Sequence, residues 1–263
     1  MPAQQYFMIS QNFVKSKASG EKIDERTIFR EYLQLVFLRQ LYSQKFSGTK
    51  VYFKGGTAIR FLFNSFRFSE DLDFTCTGSF DDIEKILQDS LSPLKIESGC
   101  EVSLKDKKTF KDVGLGFRIV FSGKDFRQPV GIRLDFSFRE KSLDSDSSVI
   151  NVIDYPLSNF PVVTHYSKKE LLAEKIRAAL ARDKGRDIFD LWFLLKQKTE
   201  ISWDMVSEKM KYYPEIKFSK EKLKEKVERV TVNDLKNDLN QFLPINYRTI
   251  YPQVLLELKE FIR

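Results

Sequence analysis

The first regular pattern of apolar residues along the chain has the period of a helix. Between Glu25 and Phe46, Ile28, Tyr32, Leu35, Val36, Leu38 and Leu41 recur at helical spacing among charged residues, which predicts an amphipathic helix. Lys50 to Lys54 is then a short run rich in β-formers. Gly55 and Gly56 break it and Thr57 to Asn64 resumes the helical period, so the predicted order is strand, glycine turn, helix. From Phe68 to Thr75 polar and apolar residues alternate, placing Leu72 and Phe74 on one face of a strand and Asp71 and Asp73 on the other. A helix over Asp81 to Leu91 follows. Two β-rich segments, near Gly116 to Ser122 and Val130 to Arg139, are separated by the turn-like SGKD.

Glu140 to Ser148 lacks apolar periodicity and is rich in Ser and Asp, which makes it the candidate linker. Short extended segments surround Val152 and Val162. From Ser167 the pattern is helical almost to the end, with Ser167 and Glu170 at capping-box spacing ahead of LLAEKIRAALAR. The predicted class is α+β. Residues 1–148 form a mixed-sheet domain with an N-terminal helix, and 149–263 a mainly helical domain.

Composition makes the picture more specific in three ways. With 263 residues, 42% of them hydrophobic and 24 of them Phe, the chain has ample apolar material for a packed interior, which excludes a disordered protein. The 44 Lys and Arg against 37 Asp and Glu leave +7; this favours polyanionic partners, nucleic acid and NTP among them, and equally describes a Lys-rich surface. Cys76 and Cys100 are too few for a disulfide framework or structural zinc site, so a reducing cytoplasm is expected. His165 is the only histidine, which argues against His-based triads and His-rich metal sites and leaves carboxylates as metal ligands. MPAQQYFMIS does not read as a secretion signal, and no apolar run approaches the ~20 residues of a membrane span. A soluble protein without a membrane partner is expected.

The chemistry concentrates in KGGTAIRFLFNSFRFSEDLDF, Lys54 to Phe74. Gly55 and Gly56 let a backbone approach a triphosphate, and the following helix N-terminus, with Thr57 as candidate N-cap, offers N–H groups to phosphate oxygens. Ser69 adds a candidate hydroxyl contact. Asp71 and Asp73 project to one side of their strand, ~6.6 Å apart along the backbone, and so are able to share metal ions. Mg²⁺ prefers a few carboxylates plus phosphate oxygens, and two such ions ~4 Å apart activate an attacking hydroxyl and stabilise a leaving pyrophosphate. Asp135, on the polar face of GIRLDFSFRE, is the third carboxylate. It either holds a metal or acts as base on the acceptor hydroxyl. Taken singly, a Gly-Gly turn or a solvated strand face accounts for each piece; their combination carries the reading.

The helix after Ser167 turns Leu172, Ile176, Ala179 and Leu180 to a core and leaves Lys175 and Arg182 together on its flank. Lys175 suits a triphosphate and Arg182 a phosphate or the acceptor, although an ordinary amphipathic helix carries such residues too. In RDIFDLW, Ile188, Leu191, Trp192 and Leu195 form an apolar stripe beside Asp187 and Asp190. Either Asp187 complements the helix N-terminus, or one of the two aspartates orients Lys175, Arg182 or Arg186.

KGGTAIRFLF with RFSEDLDF, IRLDFSF, and AEKIRAALARDKGRDIFDLW together resemble the motifs of the AbiEii/AbiGii toxin family of nucleotidyltransferases, the toxin half of abortive-infection, type IV toxin-antitoxin pairs. The resemblance covers roughly Glu25 to Leu195. Gly-Gly-Thr stands where many members of the wider superfamily have Gly-Ser, leaving Thr57 in the hydroxyl role. The resemblance implies a polymerase-beta-like nucleotidyltransferase fold, metal ligation by Asp71 and Asp73, catalytic support from Asp135, and NTP contact by Lys175, with Asp190 in the later motif. It further implies a cytoplasmic enzyme that modifies RNA, tRNA being the acceptor for some members, and a cognate antitoxin protein. The expected reaction is attack of an acceptor hydroxyl on the α-phosphate of an NTP, bound between the two domains, with release of pyrophosphate. A non-catalytic nucleotide- or RNA-binding module and an antibiotic-modifying nucleotidyltransferase are the alternatives.

Overall fold

A computed structural model describes residues 9–44, 50–111, 113–123, 128–150, 152, 154–157 and 159–262. Helix α1 (Gln11–Glu21) leads into α2 (Glu25–Ser43), whose N-cap Asp24 accepts from the Thr27 backbone N–H. The expected end of this helix at Phe46 lies outside the described residues, as do Lys124 and Asp125 of the SGKD turn. Strand β1 (Val51–Lys54) passes directly into α3 (Gly55–Phe63), and β2 (Asp71–Cys76) follows. The glycines therefore form the first turn of α3 and do not precede it. Thr57 is not the N-cap: Lys54 holds that position without a side-chain cap, while the Thr57 hydroxyl donates to the Asp71 carbonyl and ties α3 to β2.

Helix α4 (Phe80–Ser98) runs seven residues beyond the predicted Leu91 and through Pro93. Pro93 faces solvent, and the inner face of the extension buries Leu94, so the lost hydrogen bond is offset by packing. Strands β3 (Glu101–Thr109), β4 (Gly114–Ser122) and β5 (Val130–Ser137) come next, then β6 (Ser145–Val149) and β7 (Val162–Tyr166). Among the described residues the sheet has the order β3-β4-β5-β2-β1-β7-β6. Its centre is mixed: β2 runs parallel to β5 and antiparallel to β1, and β1 runs parallel to β7.

The stretch expected as a linker contains β6, and Glu140 at its start is 2% exposed. A division after Ser148 thus falls inside a strand. Val162 begins β7 as expected, whereas Val152 lies in no strand. Two cores take the place of the expected boundary. One joins α1, α2 and α4 to one face of the sheet, with Leu35, Phe37, Phe74, Leu134 and Phe136 inside it. The other starts at Tyr166 and fills the helical half, where Leu172, Ile176, Phe189 and Trp192 are buried, and Ile59 of α3 reaches into it.

The helical half begins with α5 (Lys168–Ala181) and α6 (Gly185–Lys196), a hairpin closed over Arg182 to Lys184. Ser167 caps α5 by accepting from the Glu170 N–H. The reciprocal half of the predicted capping box is absent, because the Glu170 carboxylate instead accepts from the Leu143 and Asp144 N–H groups. Helices α7 (Trp203–Lys211), α8 (Lys220–Arg229), α9 (Val232–Leu239) and α10 (Tyr251–Phe261) complete the half. No helix among the described residues is long and apolar enough to cross a membrane.

Candidate active site

Strand register brings the three aspartates to one face of the sheet. Asp73 of β2 is the direct neighbour of Asp135 on β5 and of Lys54 on β1, and Asp135 in turn faces Gly116 on β4. One step along, Asp71 pairs with Arg133 and Arg133 with Arg118. Side chains alternate in strands, so these residues share the face that looks toward the helical half. Gly55 has φ +82°, and a Cβ there would lie 2.1 Å from Oδ2 of Asp73. The glycine is required because the strand-to-helix turn runs directly against the carboxylate.

The carboxylates act on one another. Burial first, then the charges of Asp71 and Asp135, push Asp73 up to about 7; Lys175 and Lys54 oppose this. Asp135 is raised as well, by burial and by Asp71, against the pull of Arg133. Among the described residues no three His, Cys, Asp or Glu side chains are gathered as a ready-made metal cage. The donor set nonetheless fits Mg²⁺, which takes one or two carboxylates and completes its shell with water and phosphate oxygens. Mutually repelling carboxylates of this kind are relieved by a divalent cation.

Across a cleft of about 360 Å³ stand the cations of the helical half. Asp73, Asp135 and Gly55 line one wall; Lys175, Arg177, Arg182 and Tyr213 line the other. Lys175 is buried, with its ammonium 3.0 Å from Asp187 and 2.8 Å from Asp190. Burial disfavours its charge, and Asp190 and then Asp187 outweigh that and hold its pKa up. Arg182 donates to Asp187 from the cleft wall, its side chain 59% exposed. Arg67, placed between α3 and β2, grips Asp190 through two donors at 2.9 and 2.8 Å. Asp187 and Asp190 are both held below the usual carboxylate range: each is opposed by burial, Asp187 being lowered first by Lys175 and Asp190 first by Arg67.

The predicted site residues thus separate into groups. Asp73, Asp135, Gly55, Lys175 and Arg182 meet in this cleft. Asp71 opens instead into an adjoining cleft that shares Asp135. Asp190 is fully buried behind Lys175 and orients it. Gly56 and Thr57 are buried, and the space at Gly56 is filled by Arg67, whose Nη2 would meet a Cβ there at 2.1 Å. Ser69 lies beside Gly56, with its carbonyl accepting from Gln34. Arg186 turns away to Asp238, so of the three candidate cations only Lys175 and Arg182 are oriented by Asp187.

Several participants escaped the sequence reading. Lys54 is buried, 2.7 Å from Glu140 and 3.9 Å from Glu174, and it lies over the Tyr166 ring. Lys209 of α7 is 2.6 Å from Glu170 and 3.5 Å from Glu140. Glu174 is bound by Arg177, and the guanidiniums of Arg139 and Arg177 both lie over the Tyr213 ring. One signal was available in the sequence: Glu140 and Arg139 directly follow the Asp135 strand, and Lys54 directly precedes the glycines.

A mixed sheet that presents carboxylates from adjacent strands to a cleft walled by a cationic helical hairpin is the framework of a nucleotidyltransferase. The family model described as "Nucleotidyl transferase AbiEii toxin, Type IV TA system" matches residues 36–252, and the chain belongs to that family. No curated protein matches in sequence. Solved structures with the same fold include MenT4, a nucleotidyltransferase toxin of Mycobacterium tuberculosis H37Rv, at 16% identity and TM-score 0.69, covering 97% of this chain and 89% of that one. Two structures from Helicobacter pylori are also similar. A putative nucleotidyltransferase has 21% identity and TM-score 0.60 over 91% of this chain and 94% of its own, and JHP933 has 20% identity and TM-score 0.59 over 91% of each.

Proposed function

We propose that this nucleotidyltransferase is Mg²⁺-dependent and moves a nucleoside monophosphate from an NTP to a hydroxyl of RNA, with tRNA the candidate acceptor. The observation that carries the reading is the strand register that has Asp71, Asp73 and Asp135 on one sheet face, with Asp73 and Asp135 across the cleft from Arg182 and Lys175. Asp71 and Asp73 are the candidate ligands, and Asp135 is the candidate base. Bound there, Mg²⁺ supplies charge neutralisation at the reacting phosphate and lowers the pKa of the attacking hydroxyl. Arg182, exposed on the cleft wall, contacts the triphosphate, and the Arg67–Asp190–Lys175 chain holds α5 and α6 so that the cationic wall faces the aspartates. The bond from the acceptor oxygen to the α-phosphorus forms as the bond to pyrophosphate breaks, and the hydroxyl proton passes to Asp135. The family supports a cognate antitoxin protein as partner and action in the cytoplasm.

Purified protein incubated with each labelled NTP, Mg²⁺ and total RNA is expected to label RNA with at least one nucleotide, and EDTA to abolish the label. A folded Asp71→Asn, Asp73→Asn variant should retain less than about a thousandth of the rate, the loss of charge stabilisation at such a site being several kcal/mol. Undiminished labelling by that variant overturns the assignment.

A further inference from the structure

The cleft into which Asp71 opens, about 630 Å³, is not used by the nucleotide in the reading above. Arg118 and Arg133 are directly opposite each other on β4 and β5, on the face that carries the aspartates. Like charges in direct cross-strand register are destabilising unless an anion lies across them. Arg133 has only a 3.6 Å contact with Asp71 and a 63% exposed side chain, and Arg118 and Lys108, both exposed, have no ion pair among the described residues. Lys108 and Arg118 therefore border the cleft without an ion pair among the described residues and Arg133 with only the long contact to Asp71, although Glu70, Asp106 and Asp135 line the same cleft.

The second observation is Phe110, which is 49% exposed and borders both clefts, as Asp135 does. Its backbone N–H donates to the Gly114 carbonyl and its carbonyl accepts from Val113, so the hairpin between β3 and β4 fixes it. The ring lies over Gly116, where a Cβ would meet it at 3.1 Å. A glycine inside a strand has left room for an aromatic ring to lie against the sheet beside Asp135. A fixed, half-exposed ring next to unpaired cations is the combination that binds single strands, the ring stacking an unpaired base and the cations following the phosphates.

We infer that this second cleft is the acceptor site, binding the single-stranded end of RNA with its terminal base stacked on Phe110 and its phosphates on Lys108, Arg118 and Arg133. The inference rests on the proposed transfer to RNA and assigns the surface on which the acceptor lies. The nucleotide then enters from the Arg182 side and the acceptor from the Arg118 side, and the two meet at Asp135.

The test is labelled-NTP incorporation into a short single-stranded RNA, read as separate KM values for RNA and NTP, together with anisotropy titration of the same RNA over a salt series. Lys108→Glu combined with Arg118→Glu should raise KM for RNA about tenfold or more and leave KM for the NTP within about twofold, and should reduce the slope of log K against log salt by roughly 0.7 per lost phosphate contact. Phe110→Leu, which keeps an apolar group over Gly116, should weaken RNA binding roughly fivefold or more, and Phe110→Tyr should restore it. A blunt duplex should bind more weakly than the single strand. If the wild-type protein labels RNA but these variants do so with unchanged KM, or if duplex and single strand bind alike, the acceptor assignment is overturned while the proposed function stands. If the wild-type protein labels no RNA with any NTP, the proposed function falls and this assignment with it.

Discussion

A carboxyl held at about 7 is half protonated at neutral pH, and at Asp73 burial is the first cause, with the charges of Asp71 and Asp135 behind it. The folded value lies above the ordinary ~3.9 of an unfolded chain, so the folded state binds the extra proton. Its contribution to stability is fully present below about 4 and is lost as pH rises through about 7. In EDTA at pH 8, Asp73→Asn should therefore melt higher than the wild type, by roughly 2–4 °C for about 1 kcal/mol, with the gap closing toward pH 4. The same variant should fail to label RNA. A melting profile at pH 8 no higher than that of the wild type would contradict the repulsion. The aspartate face was legible from strand alternation alone, since Asp71, Asp73 and Asp135 each occupy the polar side of an alternating strand. Lys175 was not legible in the same way. Its helical position says which flank it is on, whereas its burial between Asp187 and Asp190 depends on how α6 folds back on α5.

At the scale of elements, the central strands announced themselves and the edge strands did not. β2 and β5 have one buried face and alternate accordingly, but β6 has no buried residue and β3 buries only Val102. An edge strand without a covered face leaves no apolar period to read, and the KDKK of β3 is the charge that keeps such an edge from pairing with another chain. The turn from β1 to α3 was visible as Gly-Gly, but its purpose was not: the glycines admit Asp73 and Arg67 rather than standing open. Gly55→Ala should thus lower kcat/KM at least about tenfold and cost about 1–2 kcal/mol of stability, because it places a methyl in a left-handed conformation against the carboxylate. Steady-state kinetics and a denaturant melt check both, and a variant with wild-type kinetics would show that the close approach to Asp73 is immaterial.

Across the whole molecule, the two cores are joined through buried charges. Glu140, three residues beyond the end of β5, meets Lys54 from β1 and Lys209 from α7, and Lys209 also meets Glu170 of α5. All four are at most 8% exposed, so removing one partner leaves an uncompensated charge in the interior. Lys209→Met should cost about 3–5 kcal/mol in chemical denaturation, and adding Glu170→Gln should cost less than the sum of the two single changes. Strict additivity would mean that the two do not form one unit. By itself the sequence determined the positions of α2, α3, α5 and α6, the central strands and the aspartate face, because periodicity and steric preference act between residues a few positions apart. Only the tertiary structure decided which charges belong together. Lys54 and Glu140 are 86 residues apart and Arg67 and Asp190 are 123 apart, and a buried charge is stable only beside the partner that folding brings to it.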